Sequence, residues 1–330
     1  MVAAPEHREE DADMTRVAAI DCGTNSIRLL VADVTVHENG TRELRDVDRR
    51  MRIVRLGQGV DATGRLSEQA LERTREALHE YDEVIRESGA QSTRMVATSA
   101  TRDAVNREDF FGMVRETVGV DAEVITGEEE ARLSFVGAVG DLDPAEGPFL
   151  VADVGGGSTE LVLGTWDGGR AEILGSYSAD IGCVRLTERC LPSDPAVPAE
   201  VEAARALSRE ILDEAFAAVD VSGARRWVGV AGTVTTLSAL AQGLPEYDPA
   251  AIHLSRLSRR ELDRLTEELL GMDHERRAAL GPMHPGRVDV IGGGALVVSV
   301  LAAELAERSG INEITVSEHD ILDGIALSIS

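Results

Sequence analysis

The chain has 330 residues, enough for two domains at about 100–200 residues each, and its 43% hydrophobic content supports large cores. A formal net charge of −26 and an aromatic content of 3% speak against general affinity for nucleic acid, anionic membranes, stacked bases or carbohydrate. All 33 basic residues are arginine; without lysine, a Walker P-loop, a protein-kinase lysine and Schiff-base chemistry are excluded.

Cys22, Cys183 and Cys190 are odd in number and lack paired-ligand spacing, so neither a disulfide framework nor a zinc site is indicated. The chain carries no apolar run of transmembrane length and no basic-then-apolar leader, so a cytoplasmic protein is expected. Residues 1–14 are polar and acidic and are expected to form a disordered tail.

Val17 to Ile20 and Ile27 to Val34 are β-rich runs joined by Asp21-Cys22-Gly23-Thr24-Asn25-Ser26, with Arg28 just past the turn. Gly and Asn tolerate the backbone of a tight hairpin. Met51 to Leu56 is a further strand candidate. Ser67 to Ser88 has helical spacing, with Ser67 as N-cap and Gly89 as the stop. Thr93 to Ala97 reads as a strand entering Thr98-Ser99-Ala100-Thr101-Arg102, where hydroxyls and free N–H groups at a helix start favour an anion and Arg102 could add charge. Thr126-Gly127-Glu128-Glu129 matches a capping box, with Glu130 next. The helix dipole accounts for these glutamates; alternatively one of them faces a cleft as general base, and periodicity does not select which.

Gly140 to Pro148 reads as a linker. It precedes V-A-D-V-G-G-G-S-T-E-L-V-L (Val151 to Leu163), a strand, a glycine turn and a second strand whose amides can wrap an anion. Further on come a strand at 171–178, a turn at Ile181 to Arg185, a helix near 199–219 and a strand at Trp227 to Ala231 leading into Gly232-Thr233. Ser258 with Glu261 forms another capping box. His284-Pro285-Gly286-Arg287 leads to an apolar stretch interrupted by Gly292-Gly293-Gly294, then a strand at 311–316 and a terminal helix at 320–329. The dipeptide His319-Asp320 lacks the partners of a metal-dependent phosphohydrolase site and reads as structural.

Asp153 follows Asp21 by 132 residues, and V-A-G-T-V-T follows V-A-T-S-A-T by 134. This spacing indicates an internally duplicated α/β domain, with both hairpins and both strand-to-helix turns around one cleft. The expected division is 15–139 for the first domain, with 319–330 packing back onto it, and 140–318 for the second. Asp21, Asp153 and Glu160 are hard oxygen ligands suited to Mg²⁺ or another divalent cation. Gly23, Thr24, Asn25, Ser26, Thr98, Ser99 and Arg102, with Gly155, Gly156, Gly157, Ser158, Thr159, Gly232 and Thr233, supply amides, hydroxyls and charge for phosphate. That inventory suits a phosphate chain attacked in line by water, with one carboxylate positioning and deprotonating it.

D-C-G-T-N-S-I-R-L, A-T-S-A-T-R-D-A-V-N, T-G-E-E-E-A-R-L, V-A-D-V-G-G-G-S-T-E-L and V-A-G-T-V-T-T-L resemble, in order, the motifs of the exopolyphosphatase/guanosine pentaphosphate phosphatase (Ppx/GppA) family. The resemblance implies a duplicated actin-like, ribonuclease H-like α/β fold with an interdomain site. It also implies Mg²⁺-dependent hydrolysis of terminal phosphoanhydrides that releases orthophosphate. It places the catalytic base at Glu130, phosphate and metal contacts at Asp21–Ser26 and at Asp153, Gly155, Ser158 and Glu160, and guanosine-phosphate binding at Arg28 and Arg287. A chain ending at Ser330 is expected to be a short form without the C-terminal HD-type region of longer members, and its ending S-E-H-D-I-L-D-G carries Asp323 where the family has glutamate.

Inorganic polyphosphate is the expected substrate. Guanosine pentaphosphate is the alternative, and a non-catalytic alarmone-binding module or a kinase of the same superfold is a further contender. No nucleic-acid or membrane partner is expected; a homodimer is left open.

Overall fold

The computed structural model describes residues 13–37 and 40–329. β1 (Asp13–Cys22), β2 (Ser26–Val36) and β3 (Arg42–Ile53) form an antiparallel meander. After α1 (Val60–Thr63) and α2 (Glu68–Ser88), β4 (Ser92–Ala97) pairs parallel with β1. After α3 (Ser99–Asp103) and α4 (Arg107–Val118), β5 (Ala122–Val124) pairs parallel with β4. The resulting order is β3-β2-β1-β4-β5.

α5 (Gly127–Val139) leads to a second meander, β6 (Phe149–Val154), β7 (Thr159–Trp166) and β8 (Ala171–Ala179). α6 (Cys183–Cys190) and α7 (Pro198–Ala218) cross to β9 (Arg226–Val230), which pairs parallel with β6. There follow α8 (Ala231–Ala241), α9 (Pro249–Ile252), β10 (Arg256–Ser258), α10 (Arg259–Gly271), α11 (His274–Ala278), α12 (Ile291–Arg308), β11 (Glu313–Val316) and α13 (Ile321–Ser328). β11 joins β9 in parallel, so the second sheet reads β8-β7-β6-β9-β11 with β10 added at its edge. Both sheets therefore repeat one plan, a meander followed by two parallel crossover strands.

The central strands are apolar because both faces are covered. Every residue of Phe149–Val154 is buried. β3 is the opposite case: the expected strand at 51–56 is only the end of an element that begins at Arg42 and stops at Ile53. As an edge strand it is mostly open to water and needs no apolar face, so its charges hid it. The glycine triplet 292–294 does not interrupt α12 but forms its first turn. A Cβ at Gly294 would sit 2.7 Å from Thr233 and 3.0 Å from Cys183, so the close approach of α12 to α6 and α8 requires glycine there. Asp13 and Met14, expected in the tail, already belong to β1, and the rest of that tail lies outside the described residues. Among the described residues no helix is long and apolar enough to cross a membrane.

α5 and α13 form the joint between the sheets. Leu133 packs with Ile321, Leu322 and Ile325 against Val17, Ala19 and Leu30, whereas Ala131 and Phe135 pack against Val151, Val162 and Val228. A side chain at Gly137 would strike the Asp320 carbonyl, and one at Gly324 the Leu133 carbonyl. Two glycines thus let the helices cross backbone to backbone, and this crossing brings Glu130 and both hairpins to one cleft, with Asp320 paired to Arg28 beside it.

Candidate active site

The two hairpin turns are built alike. Gly23 N–H donates to Ser26 O at 3.0 Å, and Gly155 N–H donates to Ser158 O at 3.1 Å. They face each other so closely that a Cβ at Gly156 would lie 2.8 Å from Thr24 Cβ, and one at Gly157 would lie 2.7 Å from Ser99 Oγ. Between them opens a cleft lined by Asp21, Gly23–Ser26, Arg28, Thr98, Ser99, Glu130, Asp153, Gly155, Gly156, Ser158, Glu160, Gly232, Thr233 and Arg287.

The duplication is chemically asymmetric. Register pairs Asp21 with Arg28 in the first hairpin and Asp153 with Glu160 in the second. Arg28 donates through Nη2 at 2.7 Å and Nε at 3.0 Å to Asp21 Oδ2, and through Nη1 to Asp320. Asp21 thus stands beside its own counter-ion, unlike Asp153 and Glu160, and its expected place among metal ligands is limited to the oxygen that Arg28 leaves. The second hairpin instead sets two carboxylates side by side, with Glu130 facing them from the first turn of α5.

These groups are buried and mutually repulsive. Burial, reinforced by the Asp320 charge, raises Asp153 to about 6. Burial and then the Asp153 charge raise Glu160 to about 8. Burial, then Glu160, pushes Glu130 well above the usual carboxylate range, against the pull of Arg102. Burial also raises Asp21 despite Arg28. Burial opposes the charge of Arg28, but Asp320 and Asp21 outweigh it and hold the guanidinium firmly protonated. Arg287, lining the opposite wall, has no ion-pair partner among the described residues; burial lowers its pKa, and its Nη1 donates only to Thr236 Oγ1 at 3.3 Å. Asn25, in the first turn, lines the cleft, and its Oδ1 is buried without a hydrogen-bond partner.

Three expected phosphate contacts go elsewhere. Arg102 does not line the cleft: its Nη1 lies 3.2 Å from Glu130 Oε2 and donates to Ile125 O at 3.1 Å. Thr159 Oγ1 donates to Ile181 O at 2.6 Å inside the core. Gly157 provides clearance for Ser99 rather than wall. The capping box at Thr126 is half made: its hydroxyl accepts from Glu129 N–H at 3.2 Å, while the Glu129 carboxylate turns to Arg94 at 3.1 Å.

Sequence reasoning missed the groups that hold the carboxylates. Ser134 Oγ donates to Asp153 Oδ2 at 2.6 Å, and Ser178 Oγ donates to Glu160 Oε1 at 2.8 Å. Ser134 is one helical turn past Glu130, so helical spacing could have flagged it. Ser178 is the cross-strand partner of Glu160, and only the register reveals it. Ala231 was also missed. It opens α8 at φ 69°, a left-handed conformation costly for alanine, and lines the cleft.

A duplicated β-meander and crossover unit, closed around a carboxylate- and amide-lined cleft, defines the actin-like, ribonuclease H-like class of two-domain α/β proteins. Within that class the chain belongs to the Ppx/GppA phosphatase family, whose model matches residues 31–329. It is 60% identical over 322 residues to Exopolyphosphatase 2 of Mycobacterium tuberculosis, covering 96% of this chain and 99% of that one. Among solved structures it is similar to an exopolyphosphatase-like protein (TM-score 0.89, 45% identity, 95% of this chain and 97% of that one). It is also similar to the Aquifex aeolicus PPX-GPPA enzyme (TM-score 0.76, 33% identity, 96% and 100%).

Proposed function

We propose that this phosphoanhydride hydrolase is an exopolyphosphatase, removing terminal orthophosphate from inorganic polyphosphate with Glu130 as general base. The observation that carries this reading is the placement of Glu130 in the same cleft as Asp153, Glu160 and both amide turns. The 60% identity to Exopolyphosphatase 2 supports the substrate class.

Amides of Thr24–Ser26 and of Gly156 and Ser158, with the Arg287 guanidinium, would bind the phosphate oxygens. Glu130 would orient water opposite the leaving oxygen and take its proton as the new P–O bond forms. The bridging P–O bond then breaks, and its electron pair leaves with the shortened chain. Burial raises the proton affinity of the Glu130 carboxylate, so its ionised form is a stronger base than an ordinary exposed glutamate.

Asp153 and Glu160, with the remaining oxygen of Asp21, fit a hard dication such as Mg²⁺: the donors are all oxygen, and their buried mutual repulsion calls for positive charge. When bound, such an ion would supply neutralisation of phosphate charge. Ser134 and Ser178 would hold the two carboxylates in place.

Guanosine pentaphosphate remains a second reading because an open pocket adjoins the cleft at Arg28, Gly232 and Arg287. It is lined by Met51, Tyr247, Met283 and Pro285, a surface able to take a nucleoside. The test is phosphate release from short polyphosphate, long polyphosphate, guanosine pentaphosphate and ATP, each with and without Mg²⁺. Higher kcat/KM on a polyphosphate supports the first reading. Higher kcat/KM on guanosine pentaphosphate replaces it, and no release from any substrate refutes both.

A further inference from the structure

His319, read from sequence as structural, lies in a second cluster outside the cleft. Among the described residues Asp141, His253 and His319 converge from three separate segments: the turn after α5, the end of α9 and the connector before α13. His319 Nδ1 is 2.7 Å and His253 Nε2 is 3.3 Å from Asp141 Oδ2. The two rings stand 4.7 Å apart between centroids, and one ligand atom from each residue lies within 4.8 Å of the others.

Ligands about 2.0–2.2 Å from a tetrahedral ion stand about 3.4 Å from one another, so small side-chain rotations would close this set around a cation. None of the three is buried, which leaves water free to complete the coordination. The donor set differs in kind from that of the cleft. Two imidazoles and one carboxylate suit a late first-row dication, whereas the oxygen-only carboxylates of the cleft suit Mg²⁺.

We propose that Asp141, His253 and His319 form a second metal site, for Zn²⁺ or a similar late first-row dication, at the joint between the two sheets. In the metal-free arrangement the carboxylate is bonded to both rings, which holds Asp141 below the usual carboxylate range and, through the same bond, His319 above the usual imidazole range. Loading displaces the protons that face Asp141: the Nδ1 proton of His319 is given up, and the Nε2 proton of His253 shifts to its other ring nitrogen. At His253 the neutral ring then carries its proton on Nδ1, which now accepts from Glu318 N–H at 3.2 Å, so that contact is given up. The ion therefore fastens the end of α5 to the 317–320 connector. That connector ends in Asp320, which caps α13 and pairs with Arg28. The site does not depend on the reaction proposed for the cleft.

The experiment is calorimetric titration of Zn²⁺ into the full chain held in saturating Mg²⁺, so that the cleft carboxylates are already engaged. Wild type is expected to bind Zn²⁺ at one site. Affinity should fall at least tenfold in His253→Gln and in His319→Gln, and should change less than tenfold in Asp153→Asn. Absence of Zn²⁺ binding in wild type, binding that both histidine variants retain within tenfold, or loss in Asp153→Asn would each overturn the assignment. Asp141→Asn, at an exposed position, gives the same reading should either histidine variant fail to fold.

Discussion

The carboxylate cluster makes a prediction whose sign follows from burial. Glu160 goes from an ordinary 4.5 to about 8 and Asp153 from 3.8 to about 6 on folding. At about 1.4 kcal/mol for each tenfold in proton affinity, charging either group costs on the order of 3–5 kcal/mol of native stability; shared repulsion forbids adding the two. Between the unfolded and folded pKa values the native state binds more protons than the unfolded state, so cation-free stability falls as pH rises from about 4 to about 8. Mg²⁺ needs the charged carboxylates, so the stabilisation it brings must grow across the same window. With about 2 °C per kcal/mol for a chain of this length, the Mg²⁺-dependent gain in Tm should rise by roughly 6–10 °C from acid to mildly alkaline pH. The measurement is thermal unfolding of wild type and Glu160→Gln across that range, with and without Mg²⁺. The variant should be the more stable protein without cation at the alkaline end and should lose most of the pH-dependent gain. A gain independent of pH, or one that Glu160→Gln keeps, would refute the account of the cluster.

Other positions give independent tests. Ser134→Ala removes the 2.6 Å hydrogen bond to Asp153, a charge-assisted bond worth about 1.5–3 kcal/mol, so Mg²⁺ affinity or kcat should fall about tenfold while circular dichroism stays unchanged. Gly156→Ala sets a Cβ 2.8 Å from Thr24 Cβ and 3.3 Å from Asn25 N, wedging the two turns apart; phosphate release should drop at least tenfold. Arg287→Ala deletes a guanidinium with no ion-pair partner among the described residues, so KM for polyphosphate should rise about tenfold or more, whereas Tm should hold or increase.

The parts of the fold legible in the sequence were those written in local pattern. The hairpins are written in apolar runs broken by Gly23 and by Gly155–Gly157, α2 in Ser67 and Gly89, and the duplication in its 132-residue offset, which also relates Arg28 to Glu160. What stayed hidden depends on contacts between distant segments. β3 carries edge-strand charges in place of an apolar stripe. Gly293 and Gly294 read as a break because the partners that need their missing side chains, Thr187 and Thr233, lie on other helices. Asp21 and Asp153 look equivalent in sequence, and only strand register shows that one faces an arginine and the other a glutamate. Arg102 pointed to an anion by its place after β4, but its guanidinium meets Glu130, a side chain 28 residues away.

The central claim is that Glu130 removes the proton from the attacking water. Single-turnover phosphate release from polyphosphate by wild type and Glu130→Gln, with substrate affinity measured in parallel, tests it most directly. The amide keeps the volume and relieves repulsion with Glu160, so the variant should fold at least as stably and bind substrate about as tightly. Its rate should nevertheless fall by about 10²–10⁴. A Glu130→Gln rate within a few fold of wild type would contradict the mechanism.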